Sequence, residues 1–161
     1  MKPALVMLLL FACTNPSPPP GTESVATSAP VPSGPRVIFP DGFTVQVEIA
    51  TDEETRAQGL MYRDHLRPGT GMLFFFPVEG EYAFWMKNTI IPLDMIFIDA
   101  NKRIVRIHHD VPPCKIADCP SYPANAKSLY VLEVSGGVAR QHGLKEGDVL
   151  RFEELGNIVG R

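Results

Sequence analysis

The sequence predicts a mainly β fold, an antiparallel β barrel or sandwich with one or two short helices. Three observations predict it. Short apolar or alternating runs recur from Arg36 to Glu153, with Gly, Pro, Asn and Asp clustered between them. Helix-start chemistry appears clearly once, near Thr51. Beyond the N-terminus no apolar run approaches the length a membrane span requires.

In chain order, Arg36 to Phe39 and Phe43 to Ile49 flank Pro40-Asp41-Gly42, a turn signal between two strand-like runs. Phe43, Val45, Val47 and Ile49 alternate with Thr44, Gln46 and Glu48, so the second run has one wet face. Thr51 and Glu54 have capping-box spacing, which predicts a short helix stopping near Gly59. Met72 to Phe76 is continuously apolar, the pattern of a strand covered on both faces. Tyr82 to Asn88 and Leu93 to Asp99 flank Thr89-Ile90-Ile91-Pro92 as a hairpin, and Arg103 to His109 follows a tight connection at Ala100-Asn101-Lys102. Leu129 to Val134 reads as a strand and Gly137 to His142 as one or two helical turns. Gly147-Asp148 then turns into a last strand, Val149 to Glu153.

The N-terminus differs from all this. Lys2 supplies a positive charge, and Ala4 to Ala12 form a short apolar stretch ending at Cys13. That run suits a signal-peptide core and is too short to cross a bilayer. Leu10-Phe11-Ala12-Cys13 resembles the bacterial lipoprotein cleavage box, which implies removal of residues 1–12 and lipidation of Cys13; the alternative is an ordinary secretory signal with an incidental cysteine. Several acyl chains, at about 0.8 kcal/mol per buried methylene, would anchor the protein permanently. Thr14 after the cysteine implies, in a Gram-negative host, the periplasmic face of the outer membrane. Residues 13–35 then form a lipidated Pro/Ser-rich tether, too polar to offset its ordering entropy and able to reach roughly 70 Å at about 3.1 Å per residue. Residues 36–154 form a single compact domain, and 155–161 a tail.

The formal charge of −3 is mild and gives no support to nucleic-acid binding. After lipidation Cys114 and Cys119 remain, an even pair in an exported chain, set among Pro112, Pro113 and Pro120. Their spacing can bring the Cα atoms within the roughly 4.4–6.8 Å a disulfide needs, so a structural disulfide is expected, with a redox or metal pair as the alternative.

A longer pattern runs through the domain. Arg56-Ala57-Gln58-Gly59-Leu60-Met61-Tyr62-Arg63 is followed by Gly71 to Phe76, Phe84-Trp85-Met86-Lys87-Asn88-Thr89, Leu93 to Asp99, Tyr130-Val131-Leu132-Glu133 and Gly147-Asp148. This order resembles the bacterial and archaeal family called domain of unknown function 192. The resemblance implies a compact, mainly β fold with a short helix, and no established activity.

The candidate site follows from the expected hairpin. If Asn88 opposes Leu93, then Lys87 opposes Asp94 and Trp85 opposes Ile96, so Trp85, Lys87 and Asp94 share one face. An indole beside a charge pair, with the amide of Asn88 and hydroxyl of Thr89, makes a cradle for a sugar or carboxylate. The plainer account is a cross-strand ion pair with Trp85 as core. Arg56 and Arg63 are either solvated charges, or one turns inward onto Asp94, Asp99 or an anionic ligand.

Metal binding has less to recommend it. His108 and His109 point to opposite faces of a strand, and Met61, Met72, Met86 and Met95 suit core filling as well as copper. No serine-nucleophile or zinc-helix motif occurs, so no catalytic residue, metal ligand or cofactor is assigned. The expected function is a lipid-anchored envelope module binding a small molecule or accessory to an envelope protein. The alternatives are an enzyme using Lys87 and Asp94, a structural or protein-interaction lipoprotein, and a copper-handling protein.

Overall fold

The computed structural model describes residues 33–156. The expected signal peptide, Cys13, nearly all of the tether and residues 157–161 lie outside the described residues. Among the described residues, nine strands and two short helices run in the order β1 (Arg36–Ile38), β2 (Thr44–Ala50), α1 (Glu53–Gln58), β3 (Thr70–Gly80), β4 (Ala83–Trp85), β5 (Leu93–Ile98), β6 (Ile104–Val111), β7 (Ser121–Pro123), β8 (Ser128–Ser135), α2 (Val138–Gln141) and β9 (Arg151–Glu153).

Seven strands make one sheet, ordered β6-β5-β8-β3-β2-β1-β9, while β4 and β7 pair separately. The large sheet curls into a half-barrel, and its two edges meet where Arg103 bridges Val149. The Ile104 amide donates to Asp148 O at 2.8 Å and the Leu150 amide to Lys102 O at 2.9 Å, so both edges find partners. The mainly β expectation holds, with one departure: β2 and β3 are parallel. Parallel neighbours need a long crossover, and residues 51–69, with α1 inside them, supply it.

The sheet separates two cores. Inside the curl, Val37, Val45, Val47, Leu73, Ile96, Ile98, Ile104, Leu132, Val134 and Leu150 pack together, with Leu155 buried among them. On the outer face, Leu60, Met72, Phe74, Met86, Leu93, Met95, Phe97, Val111 and Val131 form a second cluster. Apolar side chains on both faces explain why all six residues of β5 are buried and why β3 reads as a continuous apolar run. Met72, Met86 and Met95 are packing residues of this outer cluster.

The expected hairpin is corrected. Residues 83–85 do not pair with β5; they pair with β7, in the register Phe84 to Tyr122 and Trp85 to Ser121. β5 is taken on both sides by β6 and β8. A strand whose two faces are both apolar belongs in the middle of the sheet, and longer β8 covers it better than three residues of β4 could. Cys114 and Cys119 form the disulfide, with Cα atoms 5.8 Å apart, in the loop between β6 and β7.

Candidate functional site

On the outer face, a cavity of about 240 Å³ opens between α1, β4 and the sheet. Local sequence chemistry builds its walls. Asp52 caps α1, its carboxylate accepting from the Thr55 amide at 2.8 Å, and Thr55 returns the contact to complete a capping box. The cap thus falls one residue after the expected Thr51. Gly59 ends the helix at φ +49°, and a Cβ there would lie 3.2 Å from the Phe74 ring. That close approach brings the helix end down onto β3.

The following turn is tied to the segment after β4. The Tyr62 amide, at φ +61°, donates to Asn88 O at 2.9 Å, and Asn88 Nδ2 contacts the Met61 sulfur at 3.7 Å. Asn88 itself sits at φ +57°, a conformation that its short amide side chain tolerates. These contacts place Met61, Thr89 and Trp85 around one opening.

The walls are aromatic. Phe74, Phe76, Phe84 and Trp85 line the cavity. Phe84 meets Phe74 edge-on with ring centres 4.9 Å apart, and Phe76 stacks on Tyr82 at 3.7 Å. Arg56 donates from Nη1 to the carbonyls of Thr51 and Phe75, the latter at 3.0 Å, and lays its guanidinium over Phe76 at 5.4 Å.

Within this apolar setting stands Glu133 of β8, 4 % exposed and lining the cavity. Strand alternation aims it outward with Val131, whereas Leu132 and Val134 face the inner core. Its cross-strand neighbours are Met72 and Met95, neither of which can hydrogen-bond strongly or carry charge. Among the described residues no hydrogen bond or ion pair reaches the Glu133 carboxyl. Burial alone pushes it up to about 8, because the charged form would lose its water without gaining a partner. Near pH 7 it is therefore a neutral acid.

The sequence-predicted residues divide accordingly. Arg56, Trp85 and Thr89 line the cavity. Asn88 stands behind it and holds Met61. Lys87 is exposed, with its ammonium 5.0 Å from the centre of the Trp85 ring. Arg63 is elsewhere: it grips Glu48 through both carboxylate oxygens, with Nη2 to Oε2 at 2.7 Å, and that contact holds the Glu48 carboxyl below its ordinary range.

Asp94 is the largest correction. It is fully buried and, among the described residues, makes no ion pair with Lys87, Arg56 or Arg63. Its carboxylate instead accepts from the amides of Asp110 at 2.6 Å, Gly137 at 3.1 Å and Ala139 at 2.7 Å. It fastens the end of β6 and the start of α2 on the inner side of the sheet. The Lys87–Asp94 cluster fails because its premise, the hairpin register, is absent.

The candidate site residue that the sequence reading passed over is Glu133. Its signal was present: one carboxylate in the middle of Leu129-Tyr130-Val131-Leu132-Glu133-Val134, a run otherwise buried on both faces.

Two solved structures resemble the chain. One, from Sinorhizobium meliloti 1021 and described as a "putative transcription regulator", is 38% identical with a TM-score of 0.66, over 75% of this chain and 93% of that one. The other, a protein of unknown function from Novosphingobium aromaticivorans DSM 12444, is 32% identical with a TM-score of 0.67, over 82% and 99%. No curated protein matches the sequence. Residues 36–152 match the model of domain of unknown function 192, described as "Uncharacterized ACR, COG1430", and the chain belongs to that family.

Proposed function

We propose that this protein is a small-ligand-binding module of the cell envelope, exported and held by lipid on Cys13, with its binding site in the cavity between α1 and β4. The observation that carries the reading is Glu133, a nearly inaccessible carboxyl without a protein partner that borders a cavity walled by aromatic rings. A buried polar group left unsatisfied costs about 1–3 kcal/mol, more if charged, so its retention calls for a compensating role. A bound molecule that supplies the missing hydrogen bond is one. Pockets of mainly apolar surface with a few convergent polar groups are the usual form of small-molecule sites.

Native mass spectrometry of the full chain purified from its own envelope tests this. A recurring small-molecule adduct, lost on Glu133→Gln or on Phe84→Ala, is the expected result. No adduct, together with no stabilisation across a broad ligand thermal screen, would sink it. The lipid anchor is checked separately by globomycin treatment and mass measurement of the N-terminal peptide, which should carry acyl chains on Cys13.

A second reading is an enzyme using the same cavity, favoured by the placement of Glu133 at its lining: a carboxyl that burial pushes up to about 8 suits proton transfer. It differs in expecting Glu133→Gln to abolish turnover while leaving substrate affinity largely intact. A regulatory role like that named for the Sinorhizobium relative draws no support from the mild net charge of −3.

A further inference from the structure

We propose that the cavity ligand is an organic cation, an ammonium group on a compact carbon body, with its charge met by Glu133 and its carbon surface held by Phe74, Phe76, Phe84 and Trp85. This rests on reading the cavity as a ligand site and goes further by assigning the ligand's chemical class.

Three features of the site point to a cation. The carboxyl at its floor has no partner among the described residues, so a ligand cation would find an acceptor that no protein donor already occupies. The lining includes four aromatic side chains, among them the exposed Trp85, and aromatic faces are the surface on which alkylammonium groups are recognised. The protein already uses these rings in that way: the Arg56 guanidinium lies 5.4 Å from the Phe76 ring centre and the Lys87 ammonium 5.0 Å from that of Trp85. Arg56, which also lines the cavity, spends its Nη1 on the Thr51 and Phe75 carbonyls and makes no ion pair with Glu133 among the described residues, and burial is the cause of the raised Glu133 carboxyl.

The charged groups around Glu133 set the pH behaviour. From α1 come Arg56 and Glu53, which line the cavity; β3 and β5 present Met72 and Met95; and β4 presents Ala83, Phe84 and Trp85, with Lys87 beyond the indole. None of these pairs with the carboxyl among the described residues. A cation therefore binds the ionised form, and its arrival releases the carboxyl proton to solvent.

Isothermal titration of the full chain with three probes of one shape tests the assignment: choline, neutral 3,3-dimethylbutan-1-ol and anionic 3,3-dimethylbutyrate. Choline should bind about tenfold or more tightly than the alcohol, and the butyrate most weakly. Choline affinity should rise by up to about tenfold per pH unit from pH 6 and level off above about 8, as Glu133 ionises. Glu133→Gln should cost choline about tenfold and spare the alcohol. Lys87→Gln, at an exposed position where folding is not at risk, should tighten choline two- to threefold by removing a competing charge from Trp85.

Preferential binding of the alcohol or the butyrate, or weaker choline binding after Lys87→Gln, would overturn the cation assignment while leaving the cavity a ligand site. Silence from all three probes at about 10 mM, with no adduct in native mass spectrometry, would overturn both.

Discussion

Asp94 and Glu133 are two carboxyl side chains on neighbouring central strands, one register step apart: Asp94 lies opposite Val134, and Met95 opposite Glu133. Both are almost wholly removed from water. They differ in the face they occupy and therefore in their partners. Asp94 points inward, where three amides of the β6 end and α2 converge on it. Glu133 points outward into an aromatic wall, where nothing converges. The same chemical group is a fastener on one side of the sheet and an unmet demand on the other. Burial by itself therefore does not separate a structural carboxyl from a candidate site carboxyl; what separates these two is the presence or absence of a partner.

The largest test of this contrast is Asp94→Ala. It strips the acceptor from three amides at once, and at about 1.5–3 kcal/mol for each bond to a charged group the loss reaches 5 kcal/mol or more, comparable with the whole stability of a small domain. Urea unfolding, or failure to express folded protein, should report it. A loss below about 2 kcal/mol would show that Asp94 is not the fastener described.

Next comes the pH dependence of Glu133. Its folded value lies near 8, above the ordinary 4.5, so between those pH values the folded state holds a proton that the unfolded state has released. Stability should thus fall as pH rises through that window, by up to about 5 kcal/mol at 1.36 kcal/mol per unit, and flatten above 8. Glu133→Gln should remove this slope and be the more stable protein at pH 8.5. Equal slopes in urea midpoints for both proteins would break the comparison on the outer side.

Reducing the Cys114–Cys119 disulfide is a smaller perturbation. Closing so short a loop contributes roughly 2 kcal/mol. Because Cys114 packs against the outer cluster, hydrogen exchange should quicken around β6, β7 and β4 and leave β1 and β9 unchanged. Smallest is Arg63→Met, which frees Glu48, a paired but exposed carboxylate. Such pairs are worth less than about 1 kcal/mol, and this one, with its folded value lowered, contributes only above the ordinary carboxylate range and is lost as pH falls. Glu48 thereby completes the series: exposed and paired, buried and paired, buried and alone.

Much of the fold was legible beforehand because strand signals are local. The alternation in Thr44–Ala50, the apolar run of β3 and the isolation of β8 and α2 by glycines all survive into the structure. The disulfide pair was legible from spacing and prolines. What failed was pairing. Trp85 and Leu93 lie near each other in the chain, so a hairpin was the economical reading, yet β5 finds β8 and β6 and leaves β4 to Tyr122 and its neighbours. Every site residue whose place depended on that register moved: Lys87 to the surface, Asp94 to the inner core. Arg56, Trp85 and Thr89 come to one cavity because the link between the Tyr62 amide and Asn88 joins their two segments whatever β5 does.

Residue pattern alone pointed to a strand-rich domain with one capped helix and a cysteine pair spaced for a disulfide, since propensity, capping and alternation act over a few residues. Tertiary structure decided which carboxyl would be satisfied. Whether a buried oxygen meets an amide or a cavity depends on strands and helix ends brought together from distant parts of the sequence, and no local periodicity encodes that meeting.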